Sequence, residues 1–294
     1  MRSHLFLMLF ALLQSVSSIA WAGTNQWTNL GPEGGSISAM LVDPSNPDTV
    51  YAQSSSGQIF KSMDGGGSWS IPNNTGLGTN NREPIISLTL SPTPPPTLYA
   101  GLPFSGAVKS INGGESWSPA KAGLPAMSCL NLTADPSNPA TLYANCTTQI
   151  YKSTNSGGSW SLLGGSGIPA GWTFKQILVD PAQPTTLYAT HDNIISILQS
   201  YKSTDGGGSW SAITGSGLPS GSSVQPLTIA STVPSTLYAK ASSGSITLYK
   251  STDGGENWVT ASNGLPDFAF LSQLAVDPSN PAHILCGNGK LFIQ

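Results

Sequence analysis

The sequence predicts an all-β fold made of repeated four-stranded units, on three observations. A glycine-rich box that begins Lys-Ser-x-Asp/Asn and ends in tryptophan occurs five times, with its tryptophans 48, 43, 50 and 48 residues apart. A second landmark, a turn of the Asp-Pro type followed by Thr-Leu-Tyr-Ala, has three clear and three degenerate copies. Short alternating apolar runs separate the landmarks. This period is typical of a β-propeller, and we predict a six-bladed β-propeller of four-stranded antiparallel blades, with seven blades as the alternative.

The first unit shows the predicted order of strands. Ser36–Val42 alternates between apolar and polar residues and predicts strand a. Thr49–Gln53 follows the Asp-Pro turn as strand b, and Gln58–Lys61 follows as strand c. The box is then the turn into strand d, which begins near Trp69.

The two ends of the chain predict how the ring closes. The sixth unit stops at Gln294, at the end of its strand c, without a box or a fourth strand. Gly23–Leu30 aligns with the end of a box plus strand d. We therefore expect the N-terminal strand to complete the last blade, which hides two sheet edges. Residues 23–294 over six blades give about 45 residues each, within the range of known propeller repeats.

Residues 1–22 have the pattern of a secretory signal peptide. Arg2 and His4 precede the apolar run Leu5–Leu13, and Ala20-Trp21-Ala22 is a small-x-small cleavage pattern. The apolar run is too short to span a membrane. We expect a secreted protein, extracellular or periplasmic, with one domain over 23–294 and no membrane insertion.

The charge content limits the partners. The chain has a net charge of −3, and Arg82 is the one arginine after the signal peptide. A nucleic-acid partner is not expected, because no basic stripe is present to neutralise phosphates. We expect a monomer that binds a carbohydrate or a protein.

Three cysteines follow the signal peptide. Cys129 and Cys146 flank one predicted hairpin, and in an oxidising compartment they could form a disulfide; two buried thiols are the alternative. Cys286 falls where other repeats carry alanine, which indicates a core position. The spacing of the three is not that of a metal site, and neither a metal nor another cofactor is expected.

The box residues are predicted to be structural. A box aspartate can accept hydrogen bonds from its own turn, the glycines permit positive φ, and the tryptophan can pack between sheets. Two boxes carry asparagine, which cannot act as a carboxylate ligand or general acid. The structural positions are Ser62, Asp64, Trp69, Ser110, Asn112, Trp117, Ser153, Asn155, Trp160, Ser203, Asp205, Trp210, Ser251, Asp253 and Trp258.

Ser-Thr-Asp-Gly-Gly-Gly-Ser-Trp at 203–210 resembles the bacterial neuraminidase repeat, or Asp-box, and the resemblance extends over the mature chain. Asp-box propellers include sialidases, xyloglucan-cleaving glycoside hydrolases, sortilin-type receptors and photosystem II assembly factors. The resemblance implies the fold and leaves the function open.

The resemblance allows two enzyme hypotheses to be tested. Sialidases of this superfamily hold a substrate carboxylate with three arginines, and Arg82 alone cannot form that clamp. Trp27–Gly35 is similar to the start of xyloglucanase-type propellers, in which a catalytic aspartate follows a Tyr-Ala pair. Here Tyr51-Ala52 is followed by Gln53-Ser54-Ser55-Ser56. A glycoside hydrolase would need two carboxyl groups among Glu33, Glu83, Asp192 and Asp267.

A ligand site is predicted on the loop face, where the d-to-a and b-to-c connections lie, because binding residues are concentrated on loops. Trp172 is singled out because it lies outside the repeat register, and its alternative role is packing within its own loop. The candidate ligand-binding residues are Trp172, Phe174, Lys175, Arg82, Glu83, Phe104, His191, Asp267 and Phe268.

The sequence thus predicts a secreted, non-enzymatic propeller that binds a carbohydrate or protein partner. A glycoside hydrolase is the first alternative. An assembly or adhesion scaffold like the photosystem II factors is the second.

Overall fold

A computed structural model describes residues 32, 37–77, 83–92, 95–125, 129–169, 173–192, 198–220, 222–230, 232, 235–242, 246–262, 273–276, 284–287 and 291–293. These residues lie in one compact unit, Pro32–Gln294. Their regular structure consists of strands, which form six antiparallel sheets in chain order.

The strands are short, as alternating apolar runs between glycine-rich turns predict. They are β1 (Ile37–Val42), β2 (Val50–Ser54), β3 (Ile59–Ser62), β4 (Ser87–Ser91), β5 (Thr97–Leu102), β6 (Gly106–Ser110), β7 (Ser118–Pro119), β8 (Cys129–Ala134), β9 (Leu142–Cys146), β10 (Gln149–Ser153), β11 (Ser161–Leu162), β12 (Thr173–Val179), β13 (Leu187–Asp192), β14 (Leu198–Ser203), β15 (Ser211–Ala212), β16 (Ser223–Ala230), β17 (Thr236–Ser242), β18 (Ile246–Ser251), β19 (Val259–Thr260), β20 (Gln273–Val276), β21 (Ile284–Gly287) and β22 (Leu291–Ile293).

The fold is a β-propeller with four-stranded antiparallel blades, as predicted, but the number of such blades differs from the prediction. Sheets β4–β7, β8–β11, β12–β15 and β16–β19 have four strands. Sheet β1–β3 adds the beginning of a fourth strand through a bridge between Lys61 and Ser70. The described residues therefore form five blades of this kind, and the prediction of six, like the alternative of seven, is wrong. The reason lies in β20–β22, a three-stranded sheet that lacks a box; the strand predicted to complete it, Gly23–Leu30, lies outside the described residues.

A buried tyrosine on the second strand of each of the first four box-bearing blades packs against the following blade. Tyr51 packs in one cluster with Leu88 of the next blade. The hydroxyl of Tyr99 donates to the carbonyl of Ser156 (3.2 Å), and the hydroxyl of Tyr188 donates to the carbonyl of Gly254 (3.1 Å), in each case in the box of the following blade. Burial, with the charge of Asp135, raises the pKa of Tyr143 to about 12. Apolar packing and a hydrogen bond from one side chain thus set the blade-to-blade spacing.

A glycine after each fourth strand fixes the connection to the next blade. A Cβ atom at Gly76 would lie 2.5 Å from the carbonyl oxygen of Trp117, and one at Gly217 would lie 2.0 Å from that of Trp258. Both glycines have positive φ, 84° and 86°. The connection therefore runs against the box of the next blade at a distance that no side chain permits.

The first blade differs from the others on its inner strand. Leu88, Leu132 and Ile177 each lie opposite an alanine on strand b and are buried at 7%, 3% and 1% exposure. Met40 lies opposite Ala52 in the same way but is 61% exposed. Completion of the last blade by the N-terminal strand, which would close the ring, stays a prediction.

Candidate functional site

The boxes and the Asp-Pro turns lie at the same end of the strands. The amide of Gly65 in the first box donates to the carbonyl of Asp48 (2.8 Å), and that of Gly206 donates to Thr185 (2.7 Å). The b-to-c turns and the beginnings of the inner strands are therefore at the opposite end, which each d-to-a connection reaches after it has passed the box of the next blade. This end is the loop face.

Hydrogen bonds inside each box occupy its acidic or amide side chain. In the first box, Asp64 accepts from the hydroxyl of Ser62 (2.7 Å) and from the amide and hydroxyl of Ser68 (2.8 and 2.7 Å). These bonds, that from the Ser68 hydroxyl foremost, lower the pKa of Asp64 to about 2. In the second box, Asn112 instead donates through Nδ2 to the hydroxyl of Ser116 (2.8 Å). The box holds either residue because the serine hydroxyl can donate or accept.

A cavity of about 400 Å³ opens at the loop face of the first blade, and we call it the blade 1 groove. It lies between the turn that follows β2, the fourth strand, and the connection to β4. Its lining residues carry amide, hydroxyl and carboxylate groups beside apolar ones. They are Ser56, Gly57, Gln58, Ile71, Pro72, Asn73, Asn74, Leu77, Glu83 and Pro84.

The next blade holds one wall of this groove. The Nδ2 group of Asn73 donates to the carboxylate of Glu115 (2.6 Å), and its backbone amide donates to the same oxygen (3.2 Å). The indole Nε1 of Trp117 donates to the Oδ1 atom of Asn74 (3.3 Å). Asn74 itself has φ of 53°, in the left-handed region that asparagine tolerates better than most residues. The two amides are thus oriented before any ligand binds.

Glu83 forms the other wall and supports an exposed aromatic ring. Its carboxylate accepts from the backbone amide of Phe104, from the amide of Ser105 (2.6 Å) and from the hydroxyl of Ser105 (2.5 Å). Burial raises the pKa of Glu83, but the hydrogen bonds from Ser105 and Phe104 and the charge of Lys121 outweigh it, so the pKa lies below its usual range. The turn between β5 and β6 is therefore fixed, and the ring of Phe104 is 83% exposed on it.

The fourth box-bearing blade has a groove in the equivalent place, the blade 4 groove, of about 410 Å³. Gln199 lies three residues before the box lysine, as Gln58 does in the first blade, and Leu218 corresponds to Leu77. Counted from the box tryptophan, Thr214 corresponds to Asn73. Its lining residues are Gln199, Ser200, Ile213, Thr214, Gly215, Leu218, Pro219, Ser220, Ser222 and Val224, none of them charged.

In the second blade a lysine lies at the corresponding position. Lys121 holds the place of Asn73, four residues after the box tryptophan, and Gly106 holds the place of Gln58. A Cβ atom at Gly106 would lie 3.4 Å from the Lys121 side chain. The lysine stem therefore covers the space that the glutamine and asparagine border in the first blade.

The predicted ligand residues are only partly described. Glu83 lines the blade 1 groove, and its carboxylate accepts from the backbone amide of the exposed Phe104. Lys175 is exposed on β12, at a register shift between Phe174 and Gln176. His191 and Asp192 end β13, opposite Gln199 and Leu198, which brings their backbone close to the blade 4 groove.

Phe174 corrects the prediction. It is 5% exposed and packs with Tyr143 and Ile177 between two blades, so its ring belongs to the core and does not face a ligand. The reason is the strand register, which turns Phe174 inward and Lys175 outward. The remaining candidates, Glu33, Arg82, Trp172, Asp267 and Phe268, lie outside the described residues.

Cys146 is disulfide-bonded. Its residue partner in the β8–β9 ladder is Cys129, beside a register shift between Cys129 and Asn131. The predicted Cys129–Cys146 bond is the pairing that this register favours.

A third cavity, of about 460 Å³, lies against the inner strands of the first blades and is lined in part by Ser38, Gln53, Ser87 and Asn131. The Nε2 group of Gln53 donates to the carbonyl of Ile85 (2.7 Å). In the part of the chain that is described, Oε1 of Gln53 is buried with no hydrogen-bond partner. The described lining contains neither an exposed ring nor a charge, so this cavity is the weaker candidate.

Two further functions find no support in the described ranges. Within them, no group of three His, Cys, Asp or Glu side chains is arranged to bind a metal ion. Over the same residues, none of the elements is a helix long and apolar enough to span a membrane.

No protein-family model matches the chain, and no curated protein matches it either. Solved structures do. An ancestral GH74 enzyme superposes with a TM-score of 0.69 at 21% identity over 91% of this chain, and the GH74 xyloglucanase from Xanthomonas campestris with 0.65 at 20% identity over 89%. YCF48 bound to D1 peptide superposes with 0.59 at 16% identity over 88% of this chain and 78% of its own.

These likenesses concern the fold. The chain spans 37% of the ancestral GH74 enzyme and 46% of the Xanthomonas xyloglucanase, less than half of each. Together with the antiparallel sheets of the described residues they show that the chain has a β-propeller fold.

Proposed function

We propose that this chain is a secreted, non-enzymatic binding module that holds a carbohydrate chain at its loop face, in the blade 1 groove. The observation that carries the proposal is the exposed Phe104, on a turn that Glu83, a lining residue of the groove, holds with three hydrogen bonds. An aromatic ring and a few oriented polar groups beside a groove are typical of a ligand site.

The lining favours a sugar. Gln58, Asn73 and Ser56 offer amide and hydroxyl groups that can both donate to and accept from sugar hydroxyls. Asn73 and Asn74 are oriented by the neighbouring blade, so little side-chain entropy is lost when a ligand binds. The exposed ring of Phe104 offers a flat apolar surface for the C–H face of a sugar.

A glycoside hydrolase is supported less well. Such an enzyme needs a carboxylic acid of raised pKa and a second carboxyl group at roughly 5–10 Å. The hydrogen bonds to Glu83 lower its pKa, which favours a structural carboxylate over a general acid. Glu33, Asp192 and Asp267 remain the other candidates for that alternative.

A protein partner is the second alternative, and the likeness to YCF48 bound to D1 peptide favours it. An assembly scaffold of that kind would need a surface that holds a peptide. Apolar anchors dominate most peptide-binding grooves, whereas the blade 1 groove is lined mainly by polar groups and prolines. We therefore place the carbohydrate first.

A glycan panel tests the proposal. Purified residues 23–294 are screened by calorimetry against xyloglucan, mannan and mixed-linkage glucan, with product analysis to detect hydrolysis. Phe104→Ala is expected to weaken binding about tenfold, equal to about 1.4 kcal/mol, and Gln58→Ala to weaken it less. Ile111→Ala is the control, because Ile111 is an exposed apolar residue in a box turn.

The outcomes separate the alternatives. Binding that Phe104→Ala leaves unchanged would move the site elsewhere on the loop face, with Trp172→Ala as the next variant. Release of shorter sugars would establish the hydrolase. Absence of binding to every glycan would overturn the hypothesis of a carbohydrate ligand, and peptides would be tested next.

The predicted export is part of the proposal. The signal peptide at 1–22 and the disulfide at Cys146 both suit an oxidising compartment outside the cytoplasm. Sequencing the N-terminus of the exported protein tests cleavage near Ala22, and sedimentation tests the expected monomer.

A further inference from the structure

We propose that the blade 1 and blade 4 grooves are two subsites for one repeating, uncharged sugar polymer. This inference rests on the proposed function and adds to it the number of subsites and the class of ligand. Its basis is the repeat, which places the same cavity in two blades.

The two grooves are built from equivalent backbone positions. Counted from the box tryptophans Trp69 and Trp210, both use the residues three, four, five and eight positions later. Both also use the glutamine directly before the buried residue of strand c. Their volumes are about 400 and 410 Å³. A ligand unit that fits one groove therefore fits the other in size.

The chemistry common to both grooves is uncharged. Gln58 and Gln199 supply one amide each, and Leu77 and Leu218 supply one apolar contact each. Proline also lines both grooves, Pro72 and Pro84 in blade 1 and Pro219 in blade 4. The blade 4 groove adds the hydroxyls of Thr214, Ser220 and Ser222 and no charge. A ligand recognised in both places must hydrogen-bond to amides and hydroxyls without an ionic group, as a neutral polysaccharide does.

The two subsites should differ in strength. The blade 1 groove has the oriented Asn73 and Glu83, which holds the turn of the exposed Phe104, whereas the shorter side chain of Thr214 stands at the equivalent place in the blade 4 groove. A short oligosaccharide should bind first to blade 1 and more weakly to blade 4. A polymer long enough to reach both should gain from the second contact, because that contact is intramolecular.

The experiment compares chain lengths. Xyloglucan, mannan and mixed-linkage glucan are each titrated as a short oligosaccharide and as a polymer, into wild type, Gln199→Ala and Thr214→Lys. Thr214→Lys copies Lys121, which covers the same position in blade 2. For the glycan that binds, we expect two sites per chain for the oligosaccharide and about 10- to 100-fold tighter binding of the polymer.

The two variants test whether the blade 4 groove is a second subsite. Gln199→Ala and Thr214→Lys should leave the stronger oligosaccharide site intact and remove most of the polymer's advantage. One site per chain, or a polymer advantage unchanged in Thr214→Lys, would overturn the two-subsite inference and leave the proposed function standing. Binding of no glycan in either form would overturn both.

Discussion

The blade 1 and blade 4 grooves share one backbone frame but are held by different side chains. Glu115, two residues before Trp117, binds Asn73 in the wall of the first groove. Glu256, at the same place before Trp258, pairs instead with Lys202 at 3.3 Å. The repeat therefore sets the cavity. With asparagine beside it, at Asn73, the glutamate of the neighbouring box orients a ligand group, and with threonine, at Thr214, that glutamate pairs with Lys202 of blade 4.

The same comparison explains why the first groove has a charged wall. The stretch 78–82 and Glu83 lengthen the connection after the first blade, and Glu83 reaches the turn of the second blade. The shorter connection after blade 4 ends in serines. The charge in the wall of the blade 1 groove thus comes from the connection between blades, whose sequence the repeat does not constrain.

The largest effect should come from Gly76 and Gly217, the equivalent glycines in the connections beside the two grooves. Gly76→Ala and Gly217→Ala place a Cβ atom 2.5 and 2.0 Å from a tryptophan carbonyl oxygen, at positive φ. We expect each to lose about 3 kcal/mol of unfolding free energy, from backbone strain and the forced shift. Denaturant unfolding measures this loss. Gly164→Ala is the control, since no atom lies within 4 Å of its added Cβ. Equal stability in all three variants would show that the close approach to the tryptophan carbonyl oxygens does not constrain the two connections.

The next effect should be confined to the blade 1 groove. Glu83→Gln removes a charged acceptor from the amides of Phe104 and Ser105, and we expect about 1 kcal/mol of lost stability. Glycan affinity should fall several-fold because the ring is no longer fixed. Ile111→Ala, in an exposed box turn, should change neither quantity. Full glycan affinity in Glu83→Gln would show that binding does not depend on the hydrogen bonds from Phe104 and Ser105 to Glu83.

The pH dependence of stability sharpens this assignment. Because the pKa of Glu83 is lower in the folded chain, its contribution is present above the unfolded value of about 4.3 and is lost as pH falls through the folded pKa. Asp64 and Asp253 act in the same direction, with pKa values of about 2. The difference in unfolding free energy between wild type and Glu83→Gln should therefore shrink between pH 6 and pH 3. A difference that stays constant over this range would contradict an ionised Glu83 carboxylate that stabilises the fold through these hydrogen bonds.

The comparison also shows what the sequence could predict. The box and the Asp-Pro turn predicted β-strands, blade order and the loop face, because local turn chemistry and a period near 45 residues specify them. The blade count was wrong, because it depended on pairing Gly23–Leu30 with the far end of the chain, which no local signal decides. Phe174 was misassigned by one residue of register.

The candidate site was only half predictable. Glu83 and Phe104 were predicted from the sequence because they depart from the repeat, and they stay predictions. Gln58, Asn73 and Asn74 were missed because they lie within it, and their role depends on contacts with Glu115 and Trp117 more than 40 residues away. A glutamine three residues before the box lysine in blades 1, 3 and 4, at Gln58, Gln149 and Gln199, was the available signal.

The smallest effect tests the two box glutamates directly. Glu115→Gln weakens the hydrogen bonds to Asn73, whereas Glu256→Gln removes the ion pair with Lys202. Both glutamates are exposed, so we expect the melting temperature to change by about 2 °C or less in each variant. The glycan titration should still distinguish them, because Asn73 belongs to the stronger subsite: oligosaccharide affinity there should fall about twofold in Glu115→Gln and stay unchanged in Glu256→Gln. An equal loss in both variants would show that the charge near the boxes acts at long range, and that orientation of Asn73 by Glu115 contributes nothing to binding.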